Sequence, residues 1–168
     1  MKGIPVNKEK IAIVPGSFDP ITNGHISIIK KAVRLYDKVY VAVMINDQKE
    51  YMFSLEEREE IVKSALSEFD NISVISSRDW LWHLCTELGA CAIVKGYRNE
   101  TDLEYENKMA AFNKEHCPAA ETVLIKSEDD MADLSSTFIR ERIRNEQSLE
   151  KFLPSSAIET IKKIRSRV

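Results

Sequence analysis

Short apolar runs, rich in β-branched residues, alternate along this chain with longer stretches whose apolar positions recur at helical spacing. Ile11-Ala-Ile-Val14, Val39-Tyr-Val-Ala-Val43, Ile72-Ser-Val-Ile75, Ala92-Ile-Val94 and Thr122-Val-Leu-Ile125 are largely apolar on both faces, as strands buried inside a parallel sheet must be. A helical pattern follows each. Ser54-Leu-Glu-Glu57 and Thr101-Asp-Leu-Glu104 place a hydroxyl three residues before a carboxylate, the spacing of a capping box, and predict helices over about 54–68 and 101–116. From about Ser135 onward only helices are expected, with Pro154 opening the last. Strand and helix in steady alternation predict an α/β, Rossmann-like, doubly wound parallel sheet of five strands, with helices on both faces and a helical C-terminus. Such a sheet binds ligands beyond the carboxyl ends of its strands, so chemistry is to be sought just after each one.

Composition narrows the picture. A chain of 168 residues, 43% hydrophobic and 30% charged, predicts one domain over 1–168, with residues 1–8 as a short N-terminal extension. Its net charge of −3 disfavours a surface devoted to nucleic acid, which needs massed Lys and Arg, so any anion site must be local. Cys85, Cys91 and Cys117 are odd in number and lack metal-ribbon spacing. Met1 to Lys10 has no apolar signal core, and no run of 18 apolar residues occurs, so the reading is a cytoplasmic protein without a membrane partner.

The first post-strand segment, Pro15-Gly-Ser-Phe-Asp-Pro-Ile-Thr-Asn-Gly-His25, packs two Gly, two Pro, two hydroxyls and a His between strand and helix. Gly16 and Gly24 allow close backbone approach, and His25 falls in a first helical turn, where free amides and the helix dipole favour phosphate. The segment has neither the G-x-G-x-x-G of dinucleotide folds nor the G-K-[ST] of P-loops.

Thr22-x-Gly-His25 resembles the T/H-x-G-H signature of the nucleotidyltransferase superfamily, and the fuller string resembles the phosphopantetheine adenylyltransferases in particular. The likeness continues, in order, through Met52-Phe-Ser-Leu-Glu-Glu-Arg58, Lys95-Gly-Tyr-Arg98, Asp102-Leu-Glu-Tyr-Glu106, Leu134-Ser-Ser-Thr137 with Arg140, and Phe152-Leu-Pro154. It implies transfer of AMP from ATP, with Mg²⁺ present, to 4'-phosphopantetheine, giving dephospho-coenzyme A and pyrophosphate without a covalent enzyme intermediate. By the same resemblance His25 and Lys49 are catalytic, and Ser17, Lys49, Leu81 and Lys95 contact the acceptor. ATP is assigned to Ser17, Phe18, His25, Gly96, Tyr97, Arg98 and Glu106, then to Met131, Ala132, Asp133, Leu134, Ser135, Ser136 and Thr137. A homohexamer is also implied; whether coenzyme A feeds back on the enzyme is left open.

Three features depart from that pattern. Lys95 stands where the family commonly has Arg, which keeps the charge and loses the planar fork. Glu128-Asp-Asp130 puts three acids near the expected triphosphate path, to repel it, recruit Mg²⁺ or face water. Trp80 and Trp82 flank Leu81 and diverge around a helix, so one is expected to pack internally and the other to meet the cleft or a neighbouring subunit. His83 with Cys85, and His116 with Cys117, fit no common zinc spacing, and no protein-bound metal is expected. The competing readings are another nucleotidyltransferase, acting on nicotinate mononucleotide or making a cytidylyl product, and a non-catalytic nucleotide-binding module.

Overall fold

The computed structural model describes residues 8–167. Five parallel strands, β1 (Ile11–Gly16), β2 (Lys38–Met44), β3 (Ile72–Ser77), β4 (Ala92–Tyr97) and β5 (Glu121–Lys126), form one sheet in the order β3-β2-β1-β4-β5. The helices α1 (Asn23–Leu35), α2 (Leu55–Ala65), α3 (Leu81–Leu88) and α4 (Glu100–His116) cross between successive strands, and α5 (Ser136–Arg144) and α6 (Ser155–Arg165) close the chain. The doubly wound architecture read from the sequence is the one observed. Residues 1–7 of the expected N-terminal extension lie outside the described residues.

Strand side chains alternate between two apolar layers, as the period of two requires. Ala12, Val14, Val39, Val41, Val43, Ala92 and Val94 join the layer beneath α1, α2, α5 and α6, while Ile13, Ala42 and Ile93 join a smaller one beneath α3 and α4. Because both faces are covered, each fully buried Val or Ile stabilises the fold by about 1.5–3 kcal/mol before entropy is charged against it.

Caps set the helix boundaries. Ser54 and Glu57 form the expected capping box at α2. At α4 the sequence reading was off by two residues: Asn99, not Thr101, is the N-cap and accepts from Asp102 N, so Thr101 lies inside the first turn. Asn is a stronger cap than Thr, and its side-chain carbonyl takes the N3 amide. Pro154 is the N-cap of α6, one residue ahead of its helical run.

The central pair is only briefly joined. β1 is registered with β2 along its whole length, from Ile11 to Gly16, and β4 with β5 from Ala92 to Tyr97, but β1 and β4 pair only at Ala12/Ala92 and Ile13/Ile93. Beyond those rungs the two strands part, and Ile28 from α1 fills the gap beside Gly96. A Cβ built on Gly96 would stand 2.9 Å from Ile28 Cγ1. Gly96→Ala is therefore expected to cost about 1–3 kcal/mol by overpacking. In an Ile28→Ala background most of that loss should vanish in chemical denaturation, since the methyl then enters vacated space; strictly additive losses would refute the contact.

Candidate functional site

A cavity of about 900 Å³ opens where β1 and β4 part. Its walls come from the β1–α1 loop with α1, the segment after β2, the end of β4 with α4, and the stretch from the end of β5 through the start of α5. This is the switch point of a doubly wound sheet, where crossovers leave in opposite directions and no helix can cover the strand ends.

The β1–α1 loop is fixed from beneath. Phe18 takes a left-handed φ of 48°, strained for a residue with a Cβ, and is held there by its ring, which is 3% exposed. That ring explains Gly16, where a Cβ would approach it to 2.9 Å. Asp19 is buried, and its carboxylate accepts from Met52 N at 2.8 Å and Phe53 N at 3.0 Å, tying the loop to the start of α2. Arg58 is also buried and donates through Nη1 to Ser17 O at 2.7 Å and Met44 O at 3.0 Å. The sequence reading gave Asp19 and Arg58 no separate part. The available signal was an arginine on the stripe of α2 that otherwise buries Leu55, Ile61 and Val62.

His25 occupies the third position of α1 and completes a capping box with Thr22. The Thr22 amide donates to His25 Nδ1 at 3.0 Å. An amide can only donate, so Nδ1 carries the lone pair and the ring proton sits on Nε2. Burial, with the charge of Arg98 adding to it, lowers the imidazole pKa to about 4. The ring is thus a neutral Nε2–H donor on the cavity wall near pH 7.

Cations converge on the same space. Lys49, Lys95, Arg98 and Arg140 all line it. Lys95 Nζ lies 2.7 Å from Glu106 Oε2, a charge contact whose angles are not those of a hydrogen bond. Arg98 Nε donates to Asp102 Oδ2 at 3.0 Å. Arg140 donates through Nη1 to Asp19 O and through Nη2 to Thr137 Oγ1, both at 2.9 Å. Ser135 caps α5 by accepting from Phe138 N, and Ser136 Oγ donates to Pro20 O at 2.9 Å, docking this helix start against the β1–α1 loop. Phe152 O accepts from Asn23 N at 2.8 Å and so braces the first turn of α1.

Of the residues assigned from sequence, Ser17, Phe18, His25, Lys49, Lys95, Gly96, Arg98, Glu106, Met131, Leu134, Ser135, Ser136 and Thr137 line the cavity. Phe18 borders it as a residue that is 3% exposed in all. Four are not brought to the wall. Tyr97 continues the β5 ladder, its carbonyl accepting from Ser127 N. Ala132 and Asp133 fall within a turn closed by Leu134 N on Met131 O, which brings only its two ends to the wall. Leu81 opens α3, where it packs against the smaller apolar layer. Beside it Trp82 packs inward and Trp80 is 66% exposed.

The acidic loop is partly neutralised: Glu128 accepts from Ser27 Oγ and stands 3.5 Å from Lys31 Nζ. Of the carboxylates that line the cavity, Asp19, Asp102 and Glu106 are engaged by amides or cations, while Glu50, next to Lys49, is exposed. Ligand atoms of Asp79, His83 and Glu87 gather within 4.8 Å of one another, but on the solvent side of α3, and Asp79 is already paired with His83. Cys85 and Cys117 are buried free thiols away from that face, and burial pushes the Cys85 thiol up to about 12.

Comparison with known proteins agrees with this geometry. The cytidylyltransferase-like family model matches residues 13–142. A phosphopantetheine adenylyltransferase of Lactobacillus acidophilus is 42% identical over 91% of this chain and 96% of its own. Those of Streptococcus gordonii and Alkaliphilus metalliredigens are 41% and 40% identical, each over 92% of this chain and over 95% and 98% of theirs. The chain belongs to the phosphopantetheine adenylyltransferase family, within the cytidylyltransferase-like group.

Proposed function

We propose that this protein transfers AMP from ATP to 4'-phosphopantetheine, releasing pyrophosphate and dephospho-coenzyme A. The observation that carries the reading is the neutral His25 imidazole, fixed as an Nε2–H donor, in one cavity with four cationic side chains and the starts of two helices. An oxygen of the acceptor phosphate attacks the α-phosphorus of ATP in line, one P–O bond forms, and the bond to the pyrophosphate oxygen breaks. No proton has to be removed from an already ionised acceptor, so the protein's task is to align two repelling anions and stabilise the charge between them.

In this reading His25 donates to the α-phosphate, Ser17, Lys49 and Lys95 hold the acceptor phosphate, and Arg98, Arg140 and the α5 start receive the triphosphate. Glu106 contacts ATP from the same wall, freeing Lys95 as it does so. Mg²⁺ carried by ATP would neutralise part of the triphosphate charge; Asp19, Asp102 and Glu106 already have partners, which leaves Glu50 as the cavity carboxylate able to face such a cation or its waters. Leu81 belongs to this reading only if α3 contributes to the apolar end of the acceptor in an assembly. Self-association is supported by Trp80, at the N-cap of α3, and Phe112, on α4, which are exposed at 66% and 38%. A cytoplasmic location fits three free cysteines and the lack, among the described residues, of any helix long and apolar enough to cross a membrane.

With MgATP, pyrophosphate release should depend on 4'-phosphopantetheine. Release driven by nicotinate mononucleotide instead would overturn the acceptor, and release with neither would favour a binding module. His25→Ala should lower kcat about 10²–10³-fold. His25→Gln restores a side chain suited to the capping box, so it should recover the fold and not the turnover. Recovered turnover would reduce His25 to a cap. Lys49→Ala should impair the acceptor while His83→Ala leaves the rate unchanged, and the opposite ranking would reject the map.

The titration of His25 gives a signed pH effect. Its folded pKa of about 4 lies below its ordinary 6.5, so between these values the unfolded chain binds a proton that the folded chain does not. The stability it lends above pH 6.5 is lost as the pH falls towards 4. Denaturant midpoints at pH 7.5 and pH 4.5 should therefore differ less in His25→Gln than in the wild type; equal differences would remove His25 from the acid response.

A further inference from the structure

Lys49 lies on an exposed turn, between β2 and α2, that carries little apolar anchorage of its own. The turn is closed by Lys49 N donating to Asn46 O at 2.9 Å and Gln48 N donating to Asn46 Oδ1 at 3.0 Å. Closure alone fixes its shape and not its placement over the cavity. Placement comes from Tyr51. Its hydroxyl accepts from Asn46 N at 2.7 Å and donates to Asn46 O at 3.3 Å. Its ring lies against the Arg58 guanidinium, with Cζ 4.0 Å from the centroid. Arg58 in turn is anchored on the ends of both β1 and β2 by its bonds to Ser17 O and Met44 O. Arg58 Nε is buried without a hydrogen-bond partner, so the aromatic face is a principal compensation for that side of the charge.

We infer that Tyr51 is a positioning residue for the acceptor side of the reaction: it clamps the Lys49 turn to Arg58 and holds the ammonium over the cavity before the phosphate arrives. The inference rests on the proposed role of Lys49. Tyr51 lines the cavity too, but its hydroxyl is committed to the Asn46 backbone and is poorly placed to act on a ligand directly. Without the clamp, the turn has to be ordered at the expense of binding, in the ground state and the transition state alike. That signature is a raised KM with kcat preserved. The ATP side carries further ties that Tyr51 does not touch, Arg140 on Asp19 and Ser136 on Pro20, and should not feel the change.

The test compares Tyr51→Ala, which removes ring and hydroxyl, with Tyr51→Phe, which keeps the stack and is the safer folder. Hydrogen exchange on the full-length protein reads the clamp without reference to any substrate. The Asn46 amide should exchange at least about tenfold faster in both variants, with strand amides unchanged, because its recorded acceptor is the Tyr51 hydroxyl. Unchanged protection there overturns the clamp. Steady-state kinetics should show the KM for 4'-phosphopantetheine raised about tenfold in Tyr51→Ala and less in Tyr51→Phe, with the KM for ATP unmoved. Tyr51→Ala should add little on a Lys49→Ala background. Faster exchange with an unmoved acceptor KM, or additive effects with Lys49→Ala, would overturn the positioning role. A wild-type protein that does not use 4'-phosphopantetheine would instead fault the functional reading, and the exchange experiment would still decide whether Tyr51 holds the turn.

Discussion

The separation of β1 from β4 is the constraint from which the rest follows. Two rungs join these strands, and each then leaves to follow its own outer neighbour. A central parallel pair that stops bonding exposes main-chain groups and strand ends that no crossover can cover, since the crossovers on the two sides run in opposite directions. In this gap amides, helix starts and charged side chains converge, as an anion site requires. Gly96 and Ile28 keep the parted strands supported from below, and a methyl at Gly96 would meet that support.

Opening the sheet creates a second problem, which is holding a loop of Gly, Pro and a strained Phe18 in one conformation above it. Apolar packing is not directional enough. Asp19 and Arg58 answer with bonds to main-chain groups on separate elements: a carboxylate taking two amides, and a guanidinium giving to two carbonyls. Buried charges are retained at such positions only when their geometry is satisfied from several directions, and removing a partner leaves the other exposed to the full desolvation penalty. The motif around Met52 to Arg58 is thus a scaffold for the β1–α1 loop as much as the start of a helix.

The sheet was legible because period and burial carry it: Ile13 facing one layer and Ala12 and Val14 the other is what an apolar run buried on both faces must do. His25 and the α5 start were legible through short-range spacing. What sequence reasoning missed depended on contacts far along the chain, such as Asp19 with Met52 or Arg140 with Asp19. Asn99 and Thr101 both offer a cap for one helix start, and the stronger capping residue, Asn99, takes it. At His25 the sequence set capping against phosphate contact as alternatives, for another reason. Capping rules look for Glu or Gln at that position, and an imidazole supplies the same acceptor while keeping a donor on its far nitrogen.

That dual use of one ring suggests how the site tolerates so much positive charge at rest. Lys95 leans on Glu106, Arg98 on Asp102 and Arg140 on the Asp19 main chain, so each of these cations has an internal partner that a phosphate can replace or share. A fifth positive charge, at His25, would sit in the same low-dielectric space, and burial together with Arg98 keeps the ring neutral. The imidazole therefore adds a hydrogen-bond donor without adding repulsion to the resting cavity. In the proposed reaction its donor strength would be called on as negative charge accumulates between the two phosphorus centres, which is the condition under which a donor favours the transition state over bound substrates.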